Sequence, residues 1–310
     1  MIHVSYTKFY MMKAEKEAHH HNNSHEPVLL DAVVRLLAPK PGESYLDLTA
    51  GYGGHSSKIL ETTGDATKLT LVDRDQNAIN SLETLSNAGA RIIHQDFAGA
   101  AKEFVKNGEQ FDMVLIDLGV SSPHLDNAER GFSFQTEAPL DMRMDNRQAL
   151  TAQQVVNEYS EAELVKILRQ YGEEPKAKKI AAAIVSARPL ATTLQLAALV
   201  EDIYGRRGKT HPATRTFQAL RIAVNEELMQ LETTLPLLPD LLKDKGRVAV
   251  ISFHSLEDRL VKQYFASETQ AGYEAKLEVM TKKPISGATE DVLNRRARSA
   301  MLRAAFKINT

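Results

Sequence analysis

The chain of 310 residues contains no cysteine. Disulfides and cysteine-ligated metal sites are therefore excluded. The same absence removes the cysteine nucleophile on which methyl transfer to carbon-5 of a pyrimidine usually depends. The sequence also lacks a long apolar run, and its amino-terminal end lacks the apolar core of a secretory signal. We therefore expect a cytoplasmic protein that makes no membrane contact.

An excess of charge of one sign is missing as well. The 38 basic and 40 acidic residues give a formal net charge of −2. This balance does not predict nucleic-acid binding by the whole surface, so any surface that binds RNA or DNA must be local. With 43% hydrophobic and 25% charged residues, the composition is ordinary for a globular protein. The length allows one large domain or two of ordinary size.

The most informative stretch is LDLTAGYGGHS, from Leu46 to Ser56. Apolar and polar residues alternate before a glycine turn, and a helical segment follows, so the pattern predicts a strand, a turn and a helix. This is the first unit of a Rossmann-like nucleotide site, where glycine lets the backbone pass close to a ligand. The third glycine of a dinucleotide fingerprint is missing, because Ser56 stands in its place.

Two acidic residues favour S-adenosylmethionine over NAD as the ligand. Asp47 lies in the strand before the glycines, where a carboxylate would repel a pyrophosphate and suit the ammonium group of a methionine moiety. Asp73 ends the second predicted strand, where it can accept hydrogen bonds from two ribose hydroxyls. The alternatives are a glycine-rich turn in another kind of α/β protein and an NAD-dependent oxidoreductase. A comparison of NAD and S-adenosylmethionine binding separates these hypotheses.

The ends of later strands carry further candidate residues. Asp96 and Phe97 follow the third strand, and they either hold an adenine ring or are an ordinary loop acid and a core aromatic. Asp117 ends the fourth strand, where ligands bind in parallel sheets, and no helix clearly begins after it, so we favour a functional role. For Ser121 we favour a role in the turn over a substrate contact. His254 follows the fifth strand and either contacts substrate or orients the backbone.

The order of elements predicts an α/β fold with a parallel sheet and helices on both faces. Residues 1–24 read as a flexible leader, and residues 25–124 with 212–310 as one domain. Residues 125–211 show no strand pattern and are expected to form a helical insertion. Basic residues at its end predict binding to RNA or DNA phosphates; they are Arg206, Arg207, Lys209, His211 and Arg215, and Lys176, Lys178, Lys179 and Arg188 lie nearby in the sequence. A second basic patch comprises Arg295, Arg296 and Arg298, in a polar segment, residues 282–298, expected to be mobile.

Several long motifs together resemble the ribosomal RNA small subunit methyltransferase H family, also called MraW. They cover nearly the whole chain after the leader, and they are His25-Glu26-Pro27-Val28-Leu29-Leu30, Gly53-Gly54-His55-Ser56, Asp73-Arg74-Asp75, Asp117-Leu118-Gly119-Val120-Ser121-Ser122-Pro123, Glu129-Arg130-Gly131-Phe132-Ser133-Phe134, Pro139-Leu140-Asp141-Met142-Arg143-Met144-Asp145, Tyr171-Gly172-Glu173-Glu174, His211-Pro212-Ala213-Thr214-Arg215-Thr216-Phe217-Gln218-Ala219 and Ser252-Phe253-His254-Ser255-Leu256-Glu257-Asp258-Arg259.

The resemblance implies a class I S-adenosylmethionine-dependent methyltransferase with a helical substrate domain inserted after the fourth strand. It implies N4-methylation of a cytidine in the decoding region of 16S rRNA, with the small ribosomal subunit as partner; it allows a homodimer. The positions implied to contact S-adenosylmethionine are Gly53, Gly54, His55, Asp73, Phe97 and Asp117. The family's remaining contact is usually a glutamine; here it is His124, whose imidazole can donate or accept one bond.

The candidate catalytic residues are Asp117, Ser121 and His254, and no metal site is expected. A non-catalytic factor for ribosome assembly that binds S-adenosylmethionine and RNA is the alternative of another class. A DNA amino-methyltransferase is disfavoured, because residues 119–122 read Gly-Val-Ser-Ser and not the Asp/Asn/Ser-Pro-Pro-Tyr/Phe motif of that class.

Overall fold

The computed structural model describes residues 27–205, 208 and 211–308. The predicted leader and the basic residues Arg206, Arg207 and Lys209 lie outside the described residues.

The described chain is built on an eight-stranded sheet. Its strands are β1 (Tyr45–Asp47), β2 (Leu69–Asp73), β3 (Arg91–His94), β4 (Phe111–Asp117), β5 (Leu242–Ser252), β6 (Leu277–Val279), β7 (Ile285–Ser286) and β8 (Met301–Lys307). The order is β3-β2-β1-β4-β5-β8-β6, and β7 also pairs with β8. The first five strands run parallel, whereas β8 is antiparallel to all its neighbours.

Helices connect the strands. They are α1 (Leu30–Leu37), α2 (Gly54–Thr63), α3 (Gln76–Ser81), α4 (Glu83–Asn87), α5 (Phe97–Lys106), α6 (Ser122–Asp126), α7 (Ala152–Glu158), α8 (Glu161–Gly172), α9 (Ala177–Ala187), α10 (Thr193–Tyr204), α11 (Thr214–Asn225), α12 (Glu227–Thr234), α13 (Leu238–Leu241), α14 (Ser255–Gln270) and α15 (Gly287–Glu290). Short 3-10 helices lie at Ala66–Lys68, Ala128–Arg130, Leu235–Leu237, Gly272–Glu274 and Arg295–Ser299.

The strand order places a switch point between β1 and β4. From β1 the chain proceeds to β2 and β3 on one side and later crosses to β4 and β5 on the other. Ligands of doubly wound sheets bind outside the carboxyl ends of the strands at such a point. Together with the antiparallel β8 beside β5, this is the sheet of class I S-adenosylmethionine-dependent methyltransferases. The predicted fold class is confirmed.

Both faces of the sheet are buried, because successive side chains of a strand point to opposite sides. In β4, Val114 and Ile116 belong to one apolar cluster, with residues of α5 and α14. Met113 and Leu115 belong to the other, with residues of α1 and α2. Burial on both faces explains why β4 and β5 read as apolar runs in the sequence.

The helices after β4 have their own apolar cluster, which runs from Phe132 to Val224. Helix α11 contributes its apolar face to this cluster, although the sequence analysis assigned residues from 212 onwards to the other domain. The division into domains stays a prediction. Capping boxes open three of these helices: α7 at Thr151, α8 at Ser160 and α10 at Thr192.

Two helical stretches are interrupted. Residues 76–87 form the two helices α3 and α4, and the helix that follows Pro212 ends at Asn225. There Glu226 adopts φ 53°, the left-handed conformation that ends a helix, before α12 begins. The polar segment 282–298, which the sequence analysis expected to be mobile, contains β7, α15 and a 3-10 helix. Among the described residues, no helix is long and apolar enough to cross a membrane.

Candidate active site

A cavity of about 490 Å³ opens at the carboxyl ends of β1, β2 and β4. Its size lies within the range of pockets that hold small ligands and cofactors. Asp73 and Asp117, the last residues of β2 and β4, line its wall, as does Phe97 at the start of α5. The structure therefore brings together three of the residues predicted to bind the cofactor.

The glycine turn after β1 forms one side of the cavity. Gly51 and Gly54 line it, and Gly51 has φ 52°. A Cβ atom on Gly54 would lie 2.4 Å from Cγ of Pro27, so a larger residue would displace the segment before α1. Gly53, predicted to contact the cofactor, is not among the lining residues. Its N–H donates to the carbonyl of Ala50 and its φ is 77°, so it shapes the turn.

His55 lines the cavity from the first turn of α2. Its Nε2 lies 3.0 Å from the carbonyl oxygen of Val28, which can only accept, so Nε2 carries the proton and Nδ1 a lone pair. Burial lowers the pKa of His55 to about 4, so the imidazole is neutral at physiological pH. The motif around Pro27 and Val28 therefore fixes the tautomer of this histidine and packs against the glycine turn.

Asp117 presents an unsatisfied oxygen. Its backbone N–H donates to Oγ1 of Thr49 at 2.6 Å, which holds the end of β4 beside β1. Its Oδ1 is buried and has no hydrogen-bond partner among the described residues. Burial, with the nearby charges of Asp47 and Glu257, raises the pKa of Asp117 well above its usual value. A buried acceptor without a partner is costly, and a ligand that donates a hydrogen bond would remove this cost.

Asp73 is oriented by two backbone groups. Its Oδ2 accepts from the N–H of Gly51 at 2.7 Å and its Oδ1 from the N–H of Asp75 at 2.8 Å. Each oxygen keeps capacity for a further bond, which suits a pair of ribose hydroxyls. Asp96 accepts from the N–H of Gly99 and caps α5, whereas its neighbour Phe97 faces the cavity. Of the two residues that the sequence suggested for adenine binding, only Phe97 therefore faces the cavity.

Asp47 does not have the role that the sequence suggested. Only 1% of it is exposed, and it is not among the residues that line the cavity. Its Oδ2 accepts from the hydroxyls of Tyr45 and Ser56, and its Oδ1 from the N–H of Thr49. The carboxylate ties β1 to α2. The expectation that it meets an ammonium group of the ligand is therefore wrong, because its oxygens are satisfied within the protein.

His124 and Ser121 belong to a buried network at the edge of the cavity. Nδ1 of His124 lies 2.8 Å from Oγ of Ser121, and this pair caps α6. Nε2 of His124 lies 2.8 Å from Oδ2 of Asp75, which Arg130 also contacts at 3.2 Å. Nδ1 thus has a hydrogen-bond partner within the protein, whereas Nε2 lies close to Asp75 without forming a hydrogen bond with it. Ser121 acts as a helix cap, as the turn interpretation predicted.

A charged cluster that the sequence analysis missed lines the cavity beyond Asp117. Nε and Nη2 of Arg221 donate to the two oxygens of Glu227, each at 2.8 Å. Glu257 is 1% exposed, and its Oε2 accepts from the N–H groups of Phe253 and His254. The only sequence signal was a set of charged residues near apolar helix faces, which usually indicates solvent exposure.

His254 caps α14 through a capping box with Glu257. This confirms the interpretation in which His254 orients backbone, while its place on the cavity wall leaves a substrate contact open. Glu227, His254 and Glu257 offer ligand atoms within 4.8 Å of one another. Because Arg221 already holds both oxygens of Glu227, a cation would have to compete with a guanidinium. The expected absence of a metal stays a prediction.

The mouth of the cavity is aromatic and basic. Phe132, Phe134 and Arg296 line it, and Phe134 stacks on His211 with ring centroids 4.4 Å apart. Arg296 reaches Asp126 at 2.9 Å. In the other predicted basic cluster, Lys178 and Lys179 are exposed. By contrast, Lys176 and Arg188 donate to backbone carbonyls of neighbouring helices, so these two stabilise the insertion.

Sequence comparison assigns the chain to a family. The model of the MraW methylase family matches residues 22–308. A ribosomal RNA small subunit methyltransferase H from Synechocystis sp. is 49% identical over 92% of this chain and 93% of its own. Its counterpart from Heliobacterium mobile is 44% identical over 92% of this chain and 99% of its own. Among solved structures, an rRNA methylase from Streptococcus thermophilus aligns with 90% of this chain and 94% of its own, at 11% identity and a TM-score of 0.39.

The site fits the predicted cofactor. The glycine turn, the carboxylate of Asp73 and the ring of Phe97 surround a cavity of suitable size at the switch point of a class I sheet. S-adenosylmethionine is the methyl donor of methylases with this fold, so the predicted cofactor is confirmed. The extent of the sequence matches and the motifs around the cavity lead to one assignment: the chain belongs to the MraW methylase family.

Proposed function

We propose that this chain methylates the exocyclic N4 amine of a cytidine in the decoding region of 16S rRNA. The observation that carries the proposal is Asp117, which lines the cavity beside the glycine turn and whose carboxyl group has a buried Oδ1 without a hydrogen-bond partner among the described residues. The names of the relatives from Synechocystis and Heliobacterium support small-subunit rRNA as the substrate.

Several cavity residues would hold S-adenosylmethionine. Asp73 would accept from the ribose hydroxyls, Phe97 would pack against the adenine, and the open turn at Gly51 and Gly54 would admit the methionine end. When bound, the cofactor supplies a methyl group on a positively charged sulfur. The neutral imidazole of His55 suits this site, because a second positive charge beside the sulfonium would be unfavourable.

Asp117 would act on the amine. The lone pair of the cytosine amine is delocalised into the ring, so the nitrogen is a weak nucleophile. A carboxylate that accepts a hydrogen bond from the amine lets charge build on nitrogen, fixes its position and receives or relays its proton after transfer. No covalent nucleophile is needed, in keeping with the absence of cysteine from the chain.

The mouth of the cavity would take an unstacked base. The half-buried Phe134 offers ring surface for stacking, and the exposed Arg295, Arg298, Lys178 and Lys179 offer charges for phosphates. We include in the proposal the substrate-recognition role of the inserted helices, since the residues that line the mouth come from that segment and from the chain before β8.

The test is methyl transfer from labelled S-adenosylmethionine to small ribosomal subunits that lack the modification, with naked 16S rRNA in parallel. Mass spectrometry of the nucleosides identifies the product. N4-methylcytidine supports the proposal, and the faster substrate shows which form is recognised. If neither RNA is labelled although S-adenosylmethionine binds, the chain is a non-catalytic assembly factor or acts on another acceptor. Another methylated nucleoside would contradict the proposed target atom.

A further inference from the structure

We propose that Arg221 recognises the target base by donating hydrogen bonds to N3 and O2 of cytosine, from a guanidinium that Glu227 holds in place. This inference rests on the proposed function, because it takes a cytosine as the base that enters the cavity. It assigns a specificity-determining role to a residue that neither the motif analysis nor the glycine-turn geometry singled out.

The geometry leaves one edge of the guanidinium available. Arg221 lies in α11 and lines the cavity, and its side chain is 16% exposed. Nε and Nη2 form a two-bond fork with Glu227, each bond 2.8 Å long. Among the described residues, Nη1 has no hydrogen-bond partner. A planar guanidinium that is fixed along one edge presents its remaining N–H groups in a known plane, and such a group suits two adjacent acceptors.

The charge on Arg221 is secured by two acids. Burial alone would lower its pKa, but the charges of Glu227 and Glu257 outweigh burial and raise it. Arg221 is therefore a permanent donor, with no capacity to accept. Glu257 is also close enough to Asp117 for its charge to contribute to the raised pKa there. The donor and the unpartnered acceptor Asp117 thus share one charged neighbour and one cavity.

These two groups match the hydrogen-bonding edge of cytosine. That edge presents a donor, the N4 amine, followed by two acceptors, N3 and O2. Asp117 supplies the acceptor for the amine, and Arg221 supplies donors for N3 and O2. Uracil presents an acceptor at O4 and a donor at N3. Its O4 would therefore meet the acceptor Asp117, and its N3–H would meet the donor Arg221. A two-bond arginine contact to a base edge typically discriminates against the wrong base by about 10- to 100-fold.

Arg221→Lys tests the inference, because lysine keeps the positive charge and loses the planar edge. Arg143→Lys is the matched control, since Arg143 forms an equivalent fork with Asp141, at 2.8 Å per bond, and does not line the cavity. For wild type and both variants, we would measure KM and kcat on unmodified small subunits and the Kd of S-adenosylmethionine. Competition by decoding-region RNA stem-loops with C or U at the target position reports base preference.

We expect Arg221→Lys to raise KM about 10- to 100-fold and to remove most of the preference for C over U. The Kd of S-adenosylmethionine should stay unchanged, and Arg143→Lys should behave as wild type. Glu227→Gln, which weakens the fork but leaves Arg221 in place, should reduce the preference in part. Normal base preference in Arg221→Lys overturns the inference, as does a loss of S-adenosylmethionine binding in parallel, which would indicate a structural role. If wild type itself forms no N4-methylcytidine, the proposed function fails, and the inference with it.

Discussion

Nδ1 of His55 lies 3.7 Å from Oδ2 of Asp117, and both residues line the cavity. Because Nε2 of His55 donates to Val28, the facing Nδ1 has a lone pair and no proton. A neutral imidazole therefore lies beside a carboxyl group, and burial raises the pKa of that carboxyl group. The pair offers acceptors and no cation at the place where the cofactor and the target amine would meet.

Replacement of Asp117 should separate catalysis from folding. We expect Asp117→Ala to lower kcat by at least about tenfold, because the acceptor for the amine is lost. The free energy of unfolding should be unchanged or higher, because a buried carboxyl without a full set of partners is removed. Single-turnover methyl transfer and urea denaturation measure the two quantities. Near-normal turnover would remove Asp117 from the mechanism.

The pH dependence of the methyl-transfer rate should reflect the titration of Asp117. Burial and the charges of Asp47 and Glu257 raise the pKa of Asp117, so the carboxylate gains a proton at a pH well above its usual range as pH falls. The protonated form cannot accept from the amine with the same strength. The rate of wild type should therefore fall on the acid side as this proton binds. Asp117→Asn should be slow at every pH and lack that transition; if it keeps the transition, another group is responsible.

His55 should make stability depend on pH. Burial lowers its pKa in the folded chain to about 4, against 6.5 in the unfolded chain. Between these values only the unfolded chain takes up the proton, so the free energy of unfolding should fall as pH decreases from 6.5 to 4 and then level off. The shift corresponds to a loss of about 3 kcal/mol.

Urea denaturation of His55→Asn should show a weaker pH dependence in this range. The comparison is best made in the Asp117→Asn background, because the raised pKa of Asp117 gives a pH dependence of opposite sign. Equal slopes with and without His55 would show that the histidine is not buried in its neutral form.

Substitution of Asp73 should weaken the binding of S-adenosylmethionine, whereas substitution of Asp96 should not. Asp73→Asn should raise the Kd of S-adenosylmethionine by about tenfold or more, since hydrogen bonds from ribose to a carboxylate are stronger than those to an amide. Asp96→Asn is the control, because asparagine also caps helices and Asp96 is not among the residues lining the cavity. Calorimetric titration measures both affinities. A large effect of Asp96→Asn would instead restore the interpretation in which this acid contacts adenine.

Arg130 should contribute strongly to stability. It contacts Asp75 at 3.2 Å and donates to the carbonyls of Arg143 and Met144, which joins the first half of the sheet to the inserted segment. Arg130→Ala should lower the free energy of unfolding by about 3 kcal/mol, because Asp75 stays buried with less compensation. Arg147 forms a similar pair with Asp145 at an exposed position, and Arg147→Ala should cost less than about 1 kcal/mol. Equal effects in urea denaturation would contradict this account.

Much of the fold could be predicted because its signals are local. The alternation of β1 to β4 with helices follows from periodicity and turn residues, so the ends of these strands, with Asp73 and Asp117, were placed correctly. A helix boundary is hard to predict where a single residue decides it, as at Glu226 with its φ of 53°. A left-handed residue that is not glycine leaves no clear trace in the sequence.

The order of elements, the glycine turn, the family and the cavity residues at the strand ends follow from local patterns in the chain. Which charged groups are paired within the protein and which face the cavity depends on how distant segments pack together. Asp47 is satisfied by Tyr45 and Ser56, whereas Asp117, at the end of a neighbouring strand, keeps a free oxygen. Arg221 lines the cavity because α11 packs on the inserted helices beside it. A carboxylate or guanidinium is chemically the same group whether it is paired within the protein or faces the cavity. Its role depends on hydrogen-bond partners and burial, which distant parts of the chain supply.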